Sequence, residues 1–306
     1  MKILVIGSSG FLGTNLINRL SKDIKINGID RLKNDNNKIQ LFEQKDISSI
    51  NKNDEVLKNV THIFYRAGIL GGPESIDITN SKKFIKINTE KMIHFFSKID
   101  LTNIKKIFFD STEQVFGDYS KTRPNLNNSE PLPKNFYGLS KLLCEKFLIN
   151  LAYDKKINID IFRYPRIVNG ESFSVIDKMI MSCIQNKTIK VRANPKQKIT
   201  FLHLDDAIDA NIASLNSNQK YHNFFRILNL SNNEFVTILK LAKIIKNKIN
   251  NDAKIIIDEN FPVDFQPFYT NMKSHKTSKL LKWFPKYNLN KIIDEKIRIY
   301  KINAKL

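Results

Sequence analysis

The chain has 306 residues, which is enough for one large core or two coupled domains. Its 42% hydrophobic and 26% charged residues are ordinary for a soluble globular protein, and no apolar run reaches the roughly 18 residues of a membrane span. The net charge of +20 would suit a polyanion, but the lysines are scattered and no nucleic-acid-binding motif accompanies them. The joint abundance of Lys, Asn and Ile is typical of an A+T-rich coding sequence.

Two features bear on the cellular compartment. The apolar run at 2–6 is too short for a signal peptide, and a glycine-rich turn follows it at once. Cys144 and Cys183 lie in predicted helices and have no metal-ligand spacing, so we expect buried, reduced thiols. Both features predict a cytoplasmic protein.

Apolar strands alternate with amphipathic helices up to about residue 165. The predicted strands are 2–6, 24–30, 39–46, 61–66, 104–110 and 158–163, and the predicted helices are 11–22, 49–58, 80–98 and 135–155. This alternation indicates an α/β fold with a Rossmann-type, doubly wound parallel sheet. A loop at 118–133 carries three prolines and is expected to run over the mouth of the sheet.

Beyond residue 165 the order of elements is less regular. The predictions are helices at 174–186, 236–249, 276–283 and 290–301, and strands at 189–192, 225–230 and 253–258. We expect a smaller, partly interdigitated α/β lobe at 166–306. A segment near 199–216, with Phe201 to Asp206 at its start, is expected to return to the main sheet.

A glycine-rich turn joins the first predicted strand to the first helix. Its pattern G-x-x-G-x-x-G can cradle the pyrophosphate of a dinucleotide, because the backbone approaches the phosphates and the helix N-terminus attracts negative charge. The second strand ends at Asp30, where a carboxylate can bind ribose hydroxyls, whereas the neighbouring Arg31 would suit a 2′-phosphate. The residues expected at the cofactor in this turn are Gly7, Ser9, Gly10, Phe11, Leu12 and Gly13.

A candidate acid–base pair lies on the helix predicted at 135–155. Tyr137 and Lys141 are four residues apart, so they share one face of that helix. An ammonium group beside a tyrosine favours the phenolate and can lower the pKa of the hydroxyl toward neutrality. The strand at 104–110 delivers Ser111 and Thr112 at its carboxyl end, where open parallel sheets bind ligands. We expect Thr112, helped by Ser111, to hold a substrate oxygen beside Tyr137.

In this order the motifs resemble those of the extended short-chain dehydrogenase/reductases, and in particular the NAD-dependent epimerase/dehydratase group that acts on nucleotide sugars. The resemblance covers nearly all of the chain. Beyond the glycine turn and the Tyr–Lys pair, the segments that carry it are Asp46-Ile47, Ala67-Gly68, Asn88, Ser111–Gly117, Arg163–Gly170, Phe201–Asp206 and Leu280–Leu289.

The resemblance implies roles for these positions. Residues 1–165 would form the NAD-binding Rossmann domain, and 166–306 would bind the substrate. His203, Asp205 and Asp206 would be structural, with the aspartates capping a helix from Ala207, and no metal is expected. The further cofactor contacts that the resemblance implies, besides Tyr137 and Lys141, are Asp46, Ile47, Ala67, Gly68, Asn88 and Tyr164.

The implied chemistry begins when Tyr137, as phenolate, removes the proton of a sugar hydroxyl while hydride leaves for NAD. Dehydratases of the group carry an acidic pair or a glutamate base where this chain has Glu113 and Gln114. An amide cannot accept a proton at neutral pH, so Gln114 disfavours dehydration, although Glu113 can serve as an acid. Epimerisation, with C4 favoured, or reduction of a 4-keto sugar remains. Asp30 favours NAD over NADP and therefore slightly favours epimerisation.

The expected role is epimerisation of a nucleotide sugar for surface polysaccharide. An alternative of another class is a non-catalytic relative that binds a dinucleotide as a sensor or associates with RNA. The presence of Thr112, Tyr137 and Lys141 argues against that alternative. No specific nucleic acid and no membrane are expected as partners.

Three positions depart from the family pattern. Arg66 stands where the family usually has His or another small neutral residue, and its charge can contact phosphate or substrate. Arg166 replaces an asparagine that usually meets the diphosphate of the sugar nucleotide, and an arginine can bind a diphosphate bidentately. The family's usual arginine and aspartate are absent near Lys198, where Lys196 or Lys198 can replace the lost anion contact. Drift at the periphery of an intact fold is the alternative for all three.

The resemblance also implies a homodimer. Helices near 88–98 and 137–152 would pair across a two-fold axis as a four-helix bundle. The apolar residues expected in that interface are Phe95, Phe96, Leu142, Leu148 and Leu151.

Overall fold

Short apolar segments form the strands of one large sheet, and helices lie between them in the chain. Shorter strands and further helices follow. The structure is a computed structural model that describes residues 1–117, 130–169, 172–191, 195, 197–249, 252–258 and 272–303. Through Tyr164 the strands and α-helices are β1 (Lys2–Ile6), α1 (Phe11–Arg19), β2 (Lys25–Asp30), β3 (Ile39–Gln44), β4 (His62–Tyr65), α2 (Ser81–Phe84), α3 (Lys91–Lys98), β5 (Lys106–Thr112), α4 (Phe136–Lys155) and β6 (Asn158–Tyr164). They continue with β7 (Arg166–Val168), α5 (Val175–Ile184), β8 (Ile189–Val191), β9 (Lys198–Ile199), β10 (Phe201–His203), α6 (Leu204–Leu215), β11 (Phe225–Asn229), β12 (Val236–Thr237), α7 (Ile238–Ile249), β13 (Ile255–Ile257), α8 (His275–Leu281) and α9 (Leu289–Asn303).

In the described part of the chain, seven parallel strands form the central sheet in the order β11-β6-β5-β4-β1-β2-β3. The chain starts at β1, winds outward to β3, and then returns to β4 on the other side of β1. This reversal opens a crevice for ligands at the carboxyl ends of β1 and β4. The predicted Rossmann fold with a doubly wound sheet is confirmed.

Alternation along the strands sends neighbouring side chains to opposite faces of the sheet. Tyr65 and Phe109 pack with α3 and α4, while Phe64 and Phe108 pack with α1 and α6. The rings of Phe64 and Phe108 stack at 4.1 Å between centroids. Helices therefore cover both faces of the central sheet. Consecutive residues of a strand lie on opposite faces.

A third apolar cluster joins α5, α7 and α9 to the short strands β8, β9 and β10. Asp177 and Lys296 form a buried ion pair of 2.8 Å between α5 and α9. We propose that this cluster is the smaller lobe expected at 166–306. Cys144 and Cys183 are free and buried, as predicted. None of the helices in the described ranges is long and apolar enough to cross a membrane.

Two segments after residue 165 lie where the sequence did not predict them. Phe225–Asn229, expected in the smaller lobe, pairs with β6 and completes the central sheet. Phe201–His203, expected to return to that sheet, pairs instead with β7 in a separate two-stranded sheet. The return is made by α6, whose apolar face packs in the same cluster as α1.

The prediction of a helix at 49–58 is wrong. The chain forms two single 3₁₀ turns there, Ile47–Ser49 and Glu55–Leu57. Asp54 accepts a hydrogen bond from the Asn51 backbone NH at 3.1 Å, which illustrates how short polar side chains stabilise turns in competition with a helix. The helix predicted at 80–98 exists, but a π-helical segment interrupts it at Ile85–Glu90.

The capping role predicted for the two aspartates before Ala207 is also wrong. The helix begins earlier, at Leu204, and its N-cap is His203, whose Nδ1 accepts from the Asp205 NH at 3.1 Å. Asp206 instead accepts hydrogen bonds from the backbone NH groups of Lys286 and Tyr287 at 2.8 and 3.0 Å. Asp206 therefore anchors the segment before α9 to the start of α6.

Candidate active site

The glycine turn between β1 and α1 has the shape that its sequence predicted. Gly7 has a φ of +82°, and a methyl group there would lie 2.9 Å from the Ala67 nitrogen. A methyl group at Gly13 would approach the Gly7 carbonyl oxygen to 2.1 Å, whereas one at Gly10 would lie 3.3 Å from the same oxygen. Gly7 and Gly13 are thus required by the protein itself, whereas the contact at Gly10 is tight but could be relieved by a shift of a few tenths of an ångström.

The first turn of α1 offers backbone donors beside Gly10. Phe11, Leu12 and Gly13 belong to that turn, so their NH groups have no acceptor within the helix. Such a helix N-terminus suits phosphate, and the absence of a side chain at Gly10 lets a phosphate approach the backbone of the turn. The turn therefore fits the pyrophosphate of a dinucleotide.

Asp30 is fixed at the end of β2 by the backbone. Its carboxylate accepts hydrogen bonds from the NH groups of Ser9 at 2.9 Å and Leu32 at 3.0 Å. A carboxylate has about four lone-pair sites, so it keeps capacity for ribose hydroxyls. Ser9 also donates its hydroxyl to the Leu32 carbonyl, and Arg31 is exposed beside the carboxylate.

Asp46 and Ile47 lie on the turn after β3 and take different environments. Asp46 accepts from the Ser48 NH at 3.0 Å and forms an ion pair with Lys91. Partial burial would raise the pKa of Asp46, but the bonds from Lys91 and Ser48 hold it at about 2. Ile47 is buried in the apolar cluster under α3. Of these two residues, Asp46 is therefore the one that can make a polar contact at this edge.

Asn88, in the π-helical segment, connects the turn after β4 to helix α4. Its amide oxygen accepts from the Ile69 NH at 2.8 Å, and its amide nitrogen donates to the Ser140 hydroxyl at 3.0 Å. Gly68 has a φ of +157°, and a methyl group there would lie 2.8 Å from the Asn88 amide oxygen and 3.7 Å from the Lys141 ammonium nitrogen. The turn of Ala67 and Gly68 is thereby held close to Lys141.

Thr112, Tyr137 and Lys141 meet at the carboxyl end of β5. Burial raises the pKa of Tyr137 above its ordinary value, and a hydrogen bond with Thr112 acts in the opposite direction. Lys141 is buried, which lowers the pKa of its ammonium group, and it donates to the Asp110 carbonyl at 2.8 Å. The expected lowering of the Tyr137 pKa is therefore not present in the protein alone, because burial outweighs the hydrogen bond with Thr112 and the charges of Asp110 and Cys144 also raise the pKa.

Ser111 contacts a different residue of helix α4. It donates a hydrogen bond to Glu145, which also forms a bidentate pair with Arg163 at 2.9 and 2.6 Å. All three side chains are buried under α4. The Ser111 hydroxyl is thus donated to Glu145, on the helix that also carries Tyr137 and Lys141, and its expected help to Thr112 stays a prediction.

Glu113 is a buried carboxyl group beside Thr112. Its Oε1 accepts from Arg166 at 3.2 Å, and its Oε2 has no hydrogen-bond partner. Burial raises the pKa of Glu113 to about 7, against the opposing effect of Arg166. Arg166 lies in β7, so this pair joins the catalytic strand end to the smaller elements that follow residue 165.

Gln114 serves the start of helix α4. Its amide oxygen accepts from Asn135 at 2.8 Å, and Asn135 caps α4 by accepting from the Gly138 NH at 2.7 Å. A methyl group at Gly138 would lie 2.4 Å from the Gln114 carbonyl, so the helix packs directly on this turn. Gln114 thus positions the helix that carries Tyr137. Sequence reasoning missed Asn135, although Asn before a helix is a common N-cap signal.

The guanidinium of Arg66 is held by groups of the protein itself. It forms a buried ion pair of 2.9 Å with Asp110 and also donates to Asn211 on α6. Tyr164, expected at the cofactor, donates to Asp110 at 3.3 Å and accepts from Asn211 at 2.7 Å. Asp110 was missed from the sequence, although it follows Phe109, the register partner of Tyr65, as Arg66 follows Tyr65.

The remaining predicted anion contacts lie elsewhere or outside the described residues. Lys198 is exposed in β9, which pairs with β12 rather than with the central sheet. Lys196, Gly170 and most of the predicted loop at 118–133 lie outside the described residues.

Comparison with known proteins gives consistent matches. The model of the NAD dependent epimerase/dehydratase family matches residues 3–229. UDP-glucose 4-epimerase of Vibrio cholerae is 27% identical over 216 residues, or 67% of this chain, and the match spans 65% of that relative, less than two thirds of its length. CDP-paratose 2-epimerase of Salmonella typhi is 26% identical over 94% of this chain and 95% of the relative. The structure of UDP-glucuronic acid 4-epimerase of Bacillus cereus, in complex with UDP-glucuronic acid and NAD, has a TM-score of 0.84 at 21% identity, over 99% of this chain and 100% of that one.

Proposed function

The chain belongs to the NAD dependent epimerase/dehydratase family, and we propose that it is an epimerase that inverts C4 of a nucleotide sugar. The observation that carries the proposal is the meeting of Thr112, Tyr137 and Lys141 at the end of β5, beside the glycine turn. The glycine turn and the fixed carboxylate of Asp30 fit NAD, because a negative charge at that position would repel a 2′-phosphate.

NAD, when bound, supplies hydride acceptance and return at the sugar carbon. Tyr137, as phenolate, takes the proton of the sugar hydroxyl and later returns it. Thr112 holds the same oxygen, since its hydroxyl lies beside that of Tyr137. Lys141 brings a positive charge one helical turn away, which favours the phenolate once ligands complete the site.

The environment of Gln114 supports epimerisation over dehydration. Its amide is occupied by Asn135 and cannot remove a proton from carbon. Glu113 is a carboxyl group in the neighbouring position, but Arg166 holds one of its oxygens. Reduction of a 4-keto sugar remains the second candidate, because the same Tyr137 and Thr112 would serve it.

Two measurements test the proposal. Mass spectrometry of the purified protein should find retained NAD, with or without a sugar nucleotide; an empty site that accepts NADPH would favour the reductase. UDP-glucose and UDP-glucuronic acid should then be incubated with the protein in D₂O. Hydride transfer within the site leaves the C4 hydrogen unexchanged, whereas proton abstraction from carbon introduces deuterium. Carbon-bound deuterium at C4 of the product would contradict the proposed mechanism.

The alternative of a non-catalytic dinucleotide sensor, or an RNA-associated protein, is tested by Tyr137→Phe. We expect this change to abolish epimerisation without loss of NAD binding. Unchanged turnover would reject the catalytic role of Tyr137, and salt-sensitive RNA binding by the purified protein would then favour the alternative. We keep the cytoplasm and surface-polysaccharide biosynthesis as the proposed setting.

We also propose a homodimer through α3 and α4, with a corrected set of residues. Phe95, Phe96 and Leu148 are buried in the protomer's own core, so they cannot form an interface. Leu142 and Leu151 are partly buried against internal clusters. The large hydrophobic side chains exposed on the two helices are Ile93, Leu139, Leu143 and Tyr153.

A further inference from the structure

A buried ion pair joins two strand ends beneath the candidate active site. Arg66 directly follows β4 and Asp110 lies in β5, and the register of these strands places the two residues side by side. Their charged groups are 2.9 Å apart, and the side chains are only 2% and 12% exposed. Asn211 on α6 and Tyr164 on β6 also bond to the pair, so two further elements fix it, while Nε of Arg66 is buried without a hydrogen-bond partner among the described residues.

The backbone of these two residues contacts both the catalytic lysine and the cofactor turn. The carbonyl of Asp110 accepts the hydrogen bond of the Lys141 ammonium at 2.8 Å. The backbone of Arg66 lies against the glycine turn, since a methyl group at Gly7 would come within 2.9 Å of the Arg66 carbonyl carbon. A change in this pair is therefore transmitted to the catalytic lysine and to the cofactor turn.

The charge of Asp110 acts on the reacting groups. Its carboxylate raises the pKa of Tyr137 and also that of Lys141, although burial is the larger influence on each. Arg66 and Lys141 face Asp110 and lower its pKa, while burial raises it. The other titratable groups that face these residues are Tyr164, on β6, and Cys144 and Glu145, on α4. Without Arg66 the pKa of Asp110 would rise further, and above that pKa an uncompensated carboxylate would lie beneath the phenolate.

We propose that Arg66 and Asp110 are positioning residues for the acid–base pair: together they fix the carbonyl that receives Lys141, and Arg66 cancels a carboxylate charge that would oppose the Tyr137 phenolate. This inference rests on the proposed function. It assigns a role to an arginine that departs from the family pattern and to an aspartate that the sequence motifs left without one.

Opposite substitutions should move the pH profile in opposite directions. Arg66→Met leaves the carboxylate uncompensated, so the rising limb of kcat against pH should move up by about 1 unit, a loss of about tenfold below that limb. Asp110→Asn leaves the guanidinium uncompensated and should move the limb down. The double variant Arg66→Met/Asp110→Asn should return toward the wild-type profile.

Two controls separate positioning from folding. Arg19→Met removes the same charge from an exposed pair with Asp205 and Asp209 and should leave the profile unchanged. Arg66→Lys keeps the charge if Arg66→Met does not fold, and it should preserve the pH limb while lowering kcat. Shifts of the same sign in both single variants, or no shift in folded variants, would overturn the inference.

The pair is testable even if the proposed function fails. If the wild-type protein turns over none of the sugar nucleotides offered, the NAD-loaded protein is titrated by ultraviolet absorbance. Subtracting the titration of each variant's Tyr137→Phe counterpart isolates the Tyr137 phenolate. The same opposite shifts are expected there, and identical curves in all variants would reject the positioning role.

Discussion

The ring of Tyr137 lies directly against Gly71. A methyl group on Gly71 would approach the Cγ and Cδ1 atoms of that ring to 2.6 Å, so no larger residue fits without movement. Gly71 follows the turn that Asn88 holds, and Phe84 contacts the Tyr137 ring from another side at 6.2 Å between centroids. The position of the proposed catalytic hydroxyl therefore depends on a loop that carries no chemistry of its own.

Gly71→Ala should displace Tyr137 and lower kcat by roughly 10²-fold, because a shift of about 1 Å in a reacting group can cost that much. Gly72→Ala is the matched control. A methyl group there meets the end of the Glu74 side chain, which can rotate away, so we expect near-normal turnover. Steady-state kinetics and thermal unfolding of both variants decide the matter. Equal losses in the two variants would argue against a specific contact with Tyr137.

Substitutions in the glycine turn should distinguish an effect on cofactor binding from an effect on folding. Gly10→Ala should weaken NAD binding and lower the melting temperature less than Gly13→Ala, because its methyl lies on the phosphate-binding turn and 3.3 Å from the Gly7 carbonyl oxygen, a contact that a small shift relieves. Gly13→Ala should instead destabilise the fold by about 1–3 kcal/mol, since its methyl would overlap the Gly7 carbonyl oxygen. Calorimetric titration with NAD and thermal unfolding give the two readouts. Undiminished NAD binding by Gly10→Ala would place the pyrophosphate elsewhere.

The sequence predicted the parts of the site that depend on local patterns. The glycine turn, the Tyr137–Lys141 spacing and the strand end at Thr112 are each read from residues close together in the chain. Their meeting at one edge of the sheet follows from parallel strands, whose carboxyl ends lie on the same side. The central sheet was predictable for the same reason, except for its last strand, Phe225–Asn229, whose partner is set by packing.

The sequence analysis did not predict contacts that need strand register or tertiary approach. The pairing of Arg66 with Asp110 requires the alignment of β4 with β5, which the order of strands does not give. The contact of Gly71 with Tyr137 requires the path of a loop over a helix. The bond of Ser111 to Glu145 likewise requires the packing of α4 on the end of β5.

If the proposed dimer forms, a substitution on the exposed face of its helices should break the dimer without changing the core of the protomer. Leu143→Arg places a charge on the exposed face of α4, where the leucine is 40% exposed, and should convert a dimer into a monomer. Phe284→Arg alters a residue that is 68% exposed and lies outside both helices, so it should leave the dimer intact. Light scattering coupled to gel filtration measures both. A wild-type protein that is monomeric at all concentrations would refute the interface.

Glu113 predicts a pH dependence of stability whose sign follows from its burial. The pKa of its carboxyl group is about 7 in the folded protein against an ordinary value of 4.5. Between these values the folded protein keeps a proton that the unfolded chain releases, so the free energy of unfolding falls as pH rises, by up to about 3 kcal/mol.

Glu113→Gln removes this titration. The free energy of unfolding of this variant should therefore vary less with pH between 4.5 and 7, even if the lost contact with Arg166 lowers its overall stability. Urea unfolding across that range measures it, with Glu55→Gln, at a 71% exposed side chain, as the control that should keep the wild-type slope. If Glu113→Gln and the wild type show parallel slopes, Glu113 is ionised at neutral pH and its Oε2 has a partner in solution.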